Sequence, residues 1–98
     1  MLRMYSVFDK EIKKYSNPLF FEQLNDHELQ DLEAIRAFKT QLFDRRNLIA
    51  MFPDKYELCY IGKFDEFSGT FETGTALPVV VITGDDAIKE IQNEPSEN

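Results

Sequence analysis

The chain has little of what small-protein chemistry is usually built on. Among 98 residues there is one cysteine, Cys59, one histidine, His27, and no tryptophan. The four glycines, Gly62, Gly69, Gly74 and Gly84, stand singly. A lone cysteine closes no intramolecular disulfide, which excludes a secreted scaffold stapled by its own bridges. Scattered glycines form no phosphate-cradling loop. The opening Met1-Leu2-Arg3-Met4-Tyr5 lacks the basic-then-apolar pattern of a signal peptide. The longest apolar runs, Leu48 to Phe52 and Val79 to Ile82, are far too short to span a bilayer as helices. The expectation is a soluble protein of a reducing cytoplasm, with no membrane partner.

Catalytic groups are equally sparse. His27 lies between Asp26 and Glu28 without the orienting partners that a general base or metal site requires, and reads as an exposed first-turn residue. Cys59 alternates within an apolar run and reads as a small hydrophobe with no histidine near it in sequence. The carboxylates Asp65, Glu66 and Glu72 miss the spacing of a calcium loop and suit a solvated turn. No catalytic residue, metal site or cofactor is expected.

What is present is charge, unevenly placed, and aromatic bulk. Eighteen Asp and Glu against eleven Lys and Arg give a formal charge of −7. That disfavours a protein coated in positive charge. Up to Lys63, however, ten basic side chains balance ten acidic ones. From Phe64 onward Lys89 alone opposes eight carboxylates, so the last third carries the whole excess. Nine Phe and four Tyr are generous for one small domain.

Periodicity divides the chain into few elements. Leu2 to Phe8 alternates as a strand, with Met4, Ser6 and Phe8 on one face and Tyr5 and Val7 on the other. A polar, lysine-rich turn from Asp9 to Asn17 precedes a short strand, Leu19-Phe20-Phe21. Asn25 and Glu28 have the spacing of a capping box, opening a helix from about Asp26 to Phe43. Leu29, Leu32, Ile35, Phe38 and Leu42 form its apolar side, with Phe43 beside them and Lys39 snorkelling out. Leu48 to Phe52 suits a helical turn stopped by Pro53. Tyr56 to Phe64 is a strand with Tyr56, Leu58, Tyr60 and Phe64 on one face, and Gly62 within it marks a bulge or a close backbone approach. Asp65 to Gly69 is a hairpin loop, Thr70 to Glu72 its return strand, and Val79 to Thr83 a strand buried on both faces. Asp85 to Ile91 suits a short helix capped by Asp85 or Asp86. The order predicts an α+β domain over residues 1–92, an antiparallel sheet of about four strands (β-β-α-β-β) with one main helix on one face, followed by a disordered acidic tail over 93–98.

The other sheet face would be partly open, which favours function by binding. Tyr5, Tyr56, Tyr60 and Phe71, flanked by Arg3, Lys13, Lys14 and Lys63, would form a stacking platform for single-stranded nucleic acid if they reached that face. Arg45 and Arg46 with Arg36 and Lys39 are a second group suited to phosphate contact. The candidate nucleic-acid-binding residues are thus Lys13, Lys14, Arg36, Lys39, Arg45, Arg46, Tyr60 and Lys63. Two plainer readings stand beside this one: the aromatics are core, or the open face makes a homodimer.

A series of local motifs carries a family resemblance. Met4-Tyr5-Ser6-Val7-Phe8-Asp9, Pro18-Leu19-Phe20, Ala34-Ile35-Arg36-Ala37-Phe38 and Pro53-Asp54-Lys55-Tyr56-Glu57-Leu58 occur in that order, followed by Ile61-Gly62-Lys63-Phe64-Asp65 and Gly69. The series resembles the small non-structural protein of gokushovirus-type microviruses, phages with circular single-stranded DNA genomes. Its most specific stretch runs from Tyr56 to Asp65. The resemblance covers most of Met4 to Phe71 and does not extend to the acidic tail. It implies an accessory protein outside the virion, active in the host cytoplasm and linked to viral DNA replication, supporting the switch to single-stranded genome synthesis and packaging. It supplies no catalytic residues. The expected partners are single-stranded DNA, or phage or host replication proteins, with the acidic end suited to a basic protein. The alternative is a structural or scaffolding module that dimerises through its sheet without touching DNA.

Overall fold

Four consecutive residues of the first strand, Met4-Tyr5-Ser6-Val7, are buried, so this strand is covered on both faces and lies at the centre of the fold. The structure, a computed structural model, describes residues 1–25 and 29–93. Strand β1 (Leu2–Asp9) pairs along its whole length with the antiparallel β4 (Tyr56–Asp65). Its other edge is shared by β2 (Lys14–Tyr15) and β3 (Leu19–Glu22), and the far edge of β4 by β5 (Thr70–Glu72) and β6 (Val79–Thr83). The sheet is therefore antiparallel, as expected, but has six strands rather than about four. Each outer position is filled by two short segments end to end.

Ser16 explains the break between β2 and β3. Its backbone N–H donates to the Val7 carbonyl at 2.9 Å, while its hydroxyl accepts from the Val7 N–H at 3.0 Å. The buried Ser6 hydroxyl donates to the Ser16 carbonyl at 2.7 Å. A side chain thus completes a ladder position that backbone would otherwise fill, and Ser6 is buried without an unpaired polar atom.

Three helices replace the single main helix that was expected. α1 spans Leu32–Phe43, α2 Leu48–Met51 and α3 Gly84–Asn93, with a 3-10 turn at Pro53–Lys55. The first observed helical residue is later than the expected start, with Asp31 at the N-cap position; Asp26, His27 and Glu28, and so the capping box, lie outside the described residues. The buried stripe of α1 is Ala34–Phe38–Leu42, with Ile35 half-buried, while Leu29, Leu32 and Phe43 are exposed. Small Ala34 lets the helix approach the sheet, which rotates the larger residues to its flanks. α2 is capped by Asn47, whose side chain accepts from the Ile49 N–H at 3.0 Å. α3 is capped by Thr83, not by an aspartate: its hydroxyl accepts from the Asp86 N–H at 3.1 Å. Asn93 closes this helix instead of beginning a tail, and residues 94–98 lie outside the described residues. Nor is β6 buried on both faces. It is an outer strand with Val79 and Val80 exposed.

The core forms where the helices meet one sheet face: Tyr5, Val7, Leu58 and Ile82 from strands, with Ala34, Phe38, Leu42, Ile49 and Ala87 from helices. Burying side chains of this size contributes about 1.5–3 kcal/mol each for the larger ones.

Two glycines hold this arrangement. Gly62 sits at φ +146° within β4, where Met4 pairs with Gly62 and Tyr5 with Tyr60, leaving Ile61 without a partner on β1. This bulge shifts the alternation, so Phe64 pairs with Leu2 on the face opposite Tyr56, Leu58 and Tyr60 rather than joining them. A Cβ on Gly62 would lie 2.6 Å from the Glu72 carbonyl oxygen. At Gly84 a Cβ would overlap the carbonyl oxygen of Pro53, so the first turn of α3 docks directly on the 3-10 turn. Gly62→Ala should cost at least about 2 kcal/mol, since strain and overlap act together. Gly74→Ala, with open space around it, should stay within about 0.5 kcal/mol of the parent. Urea titration followed by far-UV circular dichroism measures both; equal midpoints for the two variants would remove the bulge from the account.

Candidate functional site

The two faces of the sheet differ in chemistry. On the helix-bearing face every strand Lys and Arg is found: Arg3, Lys14 and Lys63, which pair in register with Phe21 and Lys63, Asp9, and Glu72. Arg3 is held by four groups. Its Nε donates to the Tyr5 hydroxyl at 2.9 Å, its Nη2 donates to Asp31 Oδ1 at 3.3 Å, and its guanidinium lies 3.8 Å from the Tyr60 ring centre and 5.6 Å from that of Tyr5. The Tyr5 hydroxyl donates in turn to Asp31 Oδ1 at 2.5 Å. Burial, then the hydrogen bond to Asp31, pushes the Tyr5 phenol up to about 12. Burial alone would lower Arg3, but the Tyr5 hydrogen bond and the surrounding oxygens hold it above its ordinary value. Asp31 stands at the first turn of α1, so this cluster fastens helix to sheet.

The opposite face carries no helix among the described residues. Register and ring contacts assign to it Leu2, Met4, Ser6 and Phe8 from β1, Tyr15 from β2, Phe20 and Glu22 from β3, and Phe71 from β5, with Cys59 and Phe64 among the β4 residues. Phe20 and Phe64 meet edge to face at 6.0 Å, and Phe64 and Phe71 lie tilted to each other at 5.0 Å, making a ladder of three rings. Phe8 and Tyr15 form a second pair at 4.5 Å. Phe20 is 46% and Phe71 62% exposed, so the ladder is open to solvent at both ends. Cys59 is buried between neighbours on this face, and burial followed by the nearby Glu57 carboxylate pushes its thiol up to about 11. Such a thiol is a poor nucleophile. Asp65 caps the following turn by accepting from the Phe67 N–H at 3.0 Å, which holds its carboxyl below the usual range.

The expected stacking platform is therefore distributed otherwise. Tyr5, Tyr56 and Tyr60 point to the helix side, where Tyr5 is core and Tyr60 lies under Arg3; Phe71 alone of the four reaches the open face. Sequence reasoning missed Phe20 and Phe64 as its partners. The signal that could have found Phe64 was Gly62, since a bulge there changes which face the next residues take.

The expected cationic residues also lie apart. Lys13, at φ +57°, and Lys14 are exposed at the β1–β2 turn. Arg36 is exposed on α1, where it and Lys39 line a groove of about 310 Å³ with Leu32, Phe43 and Ile91. Lys39 is largely covered and pairs with Glu90 of α3 at 2.9 Å. Arg45 and Arg46 follow α1 in the open, Arg46 pairing with Asp44 at 3.2 Å. Lys63 is half-buried beside Arg3. A wider cleft of about 550 Å³ separates the β1–β2 turn from α1 and α2, lined by Val7, Ile12, Leu19, Gln41, Ile49 and Tyr56 among others. No cluster of three metal-ligating side chains occurs among the described residues, and among them no helix is long and apolar enough to cross a membrane.

These features define a small α+β protein with one helix-covered sheet face and one aromatic face open for contact. The chain belongs to the Phage ORF5 protein family, which matches residues 2–87. It is 29% identical over 80 residues to Protein ORF5 of Chlamydia phage 1, covering 80% of this chain and 78% of that protein. It is thus a small phage protein of gokushovirus type. No solved structure matches it.

Two buried groups make stability sensitive to alkali. Cys59 moves from 9.0 to about 11 and Tyr5 from 10.0 to about 12, so the unfolded chain releases these protons first. Their contribution is complete below pH 9 and is lost as pH rises towards 12. Thermal midpoints should therefore fall from pH 9 upward, and Tyr5→Phe should flatten that fall while costing about 1–2 kcal/mol at neutral pH through the lost Asp31 bond. An unchanged slope in Tyr5→Phe would refute the assignment. Cys59 should resist a thiol reagent at pH 8 until denaturant is added.

Proposed function

We propose that this protein is a non-enzymatic accessory factor of phage DNA synthesis, acting in the host cytoplasm by docking a replication protein on its open sheet face. The observation that carries the reading is the Phe20–Phe64–Phe71 ladder, whose two end rings are left in solvent by a domain that has its core on the other sheet face. Exposed aromatic faces of this kind favour protein contact. The family supports the phage setting, and the link to the switch from duplex to single-stranded genomes rests on the resemblance to gokushovirus non-structural proteins.

Direct DNA contact is the second reading, favoured by the groove that places Arg36 beside Lys39 and exposed Phe43. The two make different predictions. Phe20→Ser/Phe71→Ser, at exposed positions, should leave the thermal midpoint within a few degrees of the parent. In infected cells it should lower single-stranded progeny DNA while the duplex replicative form accumulates normally. Arg36→Ala/Arg45→Ala should leave that ratio unchanged. Titration of single-stranded DNA at two salt concentrations completes the test: steeply salt-dependent binding lost in the arginine variant would transfer the function to DNA.

A further inference from the structure

The open face has a charge pattern that selects its partner. At its strand positions the only ionisable side chains other than Cys59 and Tyr15 are carboxylates: Glu22, in register with Leu2, and Glu57, in register with Phe8. No strand lysine or arginine is there, because Arg3, Lys14 and Lys63 all take the opposite face. At its strand positions the surface is thus an apolar field of Phe20, Phe64 and Phe71 over the buried Met4, with a carboxylate towards each end and no Lys or Arg among the described residues.

Three occupants can be weighed against that pattern. Nucleic acid would bring phosphates to a face that offers them no cation. A second copy of the same face would put the Glu22 and Glu57 of both copies into one interface, four carboxylates with no strand Lys or Arg to neutralise them as water is expelled. A segment with apolar side chains flanked by Lys or Arg satisfies both the ring ladder and the carboxylates. The sheet also favours a helix over an extended strand. It presents side chains across four strand positions about 4.8 Å apart, wide enough for a helix roughly 10 Å across. The other face shows the same mode of packing, with α1 laying Ala34, Phe38 and Leu42 on the sheet.

We infer that the open sheet face, through Phe20, Phe64 and Phe71 with Glu22 beside them and Glu57 at the far end of the same face, docks a cationic amphipathic helix of a partner protein. The inference rests on the protein-docking reading above and names the chemistry of what is docked. Binding energy comes from the rings, and orientation from the carboxylates.

The test uses a synthetic amphipathic helix of leucine and lysine, with a leucine and glutamate helix of the same pattern as control, titrated into the full-length protein by nitrogen-15 NMR. The lysine helix should bind, shifting amides of β1, β3, β4 and β5, and the glutamate helix should not. Phe20→Ser/Phe71→Ser should weaken binding roughly tenfold or more, and Glu22→Lys should weaken it severalfold with the fold intact. Shifts confined to α3, around Asp85, Asp86 and Glu90, would overturn the proposal as unspecific attraction to acidic charge. Equal binding of the glutamate helix would overturn it too, as would a peptide-free dimer abolished by Phe71→Ser in sedimentation. Loss of peptide binding with the infected-cell phenotype of the ring variant intact removes only the helix chemistry. Peptide binding without that phenotype removes only the replication role.

Discussion

The pairing of β1 with β4 fixes which side chains each surface of the protein can use. Both strands alternate, so Tyr5 opposite Tyr60 and Val7 opposite Leu58 must face the helices, while Ser6 opposite Cys59 and Phe8 opposite Glu57 must face away. With β1 covered on both faces, its register cannot slip by one residue without moving Tyr5 out of the core and Ser6 away from Ser16. The helices, the Arg3 cluster and the aromatic ladder all inherit their positions from that pairing.

Within it the bulge at Ile61 and Gly62 is the decisive irregularity. Without it Phe64 would continue the alternation of Tyr56, Leu58 and Tyr60 and face the helices. With it Phe64 joins Phe20 and Phe71 on the other side, and Lys63 faces Arg3. A single residue of extra backbone therefore sends Lys63 to the helix-bearing face and Phe64 to the open one. The conformation depends on glycine because the Glu72 carbonyl leaves no space for a Cβ.

Much of this was legible in the sequence, and what was not has physical reasons. The alternation of β1, the turn at Gly69, the helical turn before Pro53 and the strand from Tyr56 are local signals, and the structure bears them out. The apolar stripe of α1 was misread because Leu32 and Phe43 are large and Ala34 is small; hydrophobicity ranks them one way and close packing on a sheet the other. Val79 to Thr83 looked like a central strand from its composition, but it is β4, with a partner on each side, that fills the centre. The site followed the same logic. Counting aromatics located the binding potential, but assigning rings to faces required the bulge, and the cations could not be grouped until the helices were placed.

The division of each outer sheet position into two short strands has a bearing on the protein's behaviour at high concentration. β2 has two residues, β5 three and β3 four. A long, flat outer strand offers unpaired backbone groups to any neighbouring chain and invites polymerisation strand by strand. Here the outer row changes direction or stops within a few residues, so no continuous template exists along these segments for a copy to extend. A phage protein with an uncovered hydrophobic surface is thereby steered towards recognition by side chains, where a partner must match shape and charge, and away from backbone pairing, where almost any sequence would do.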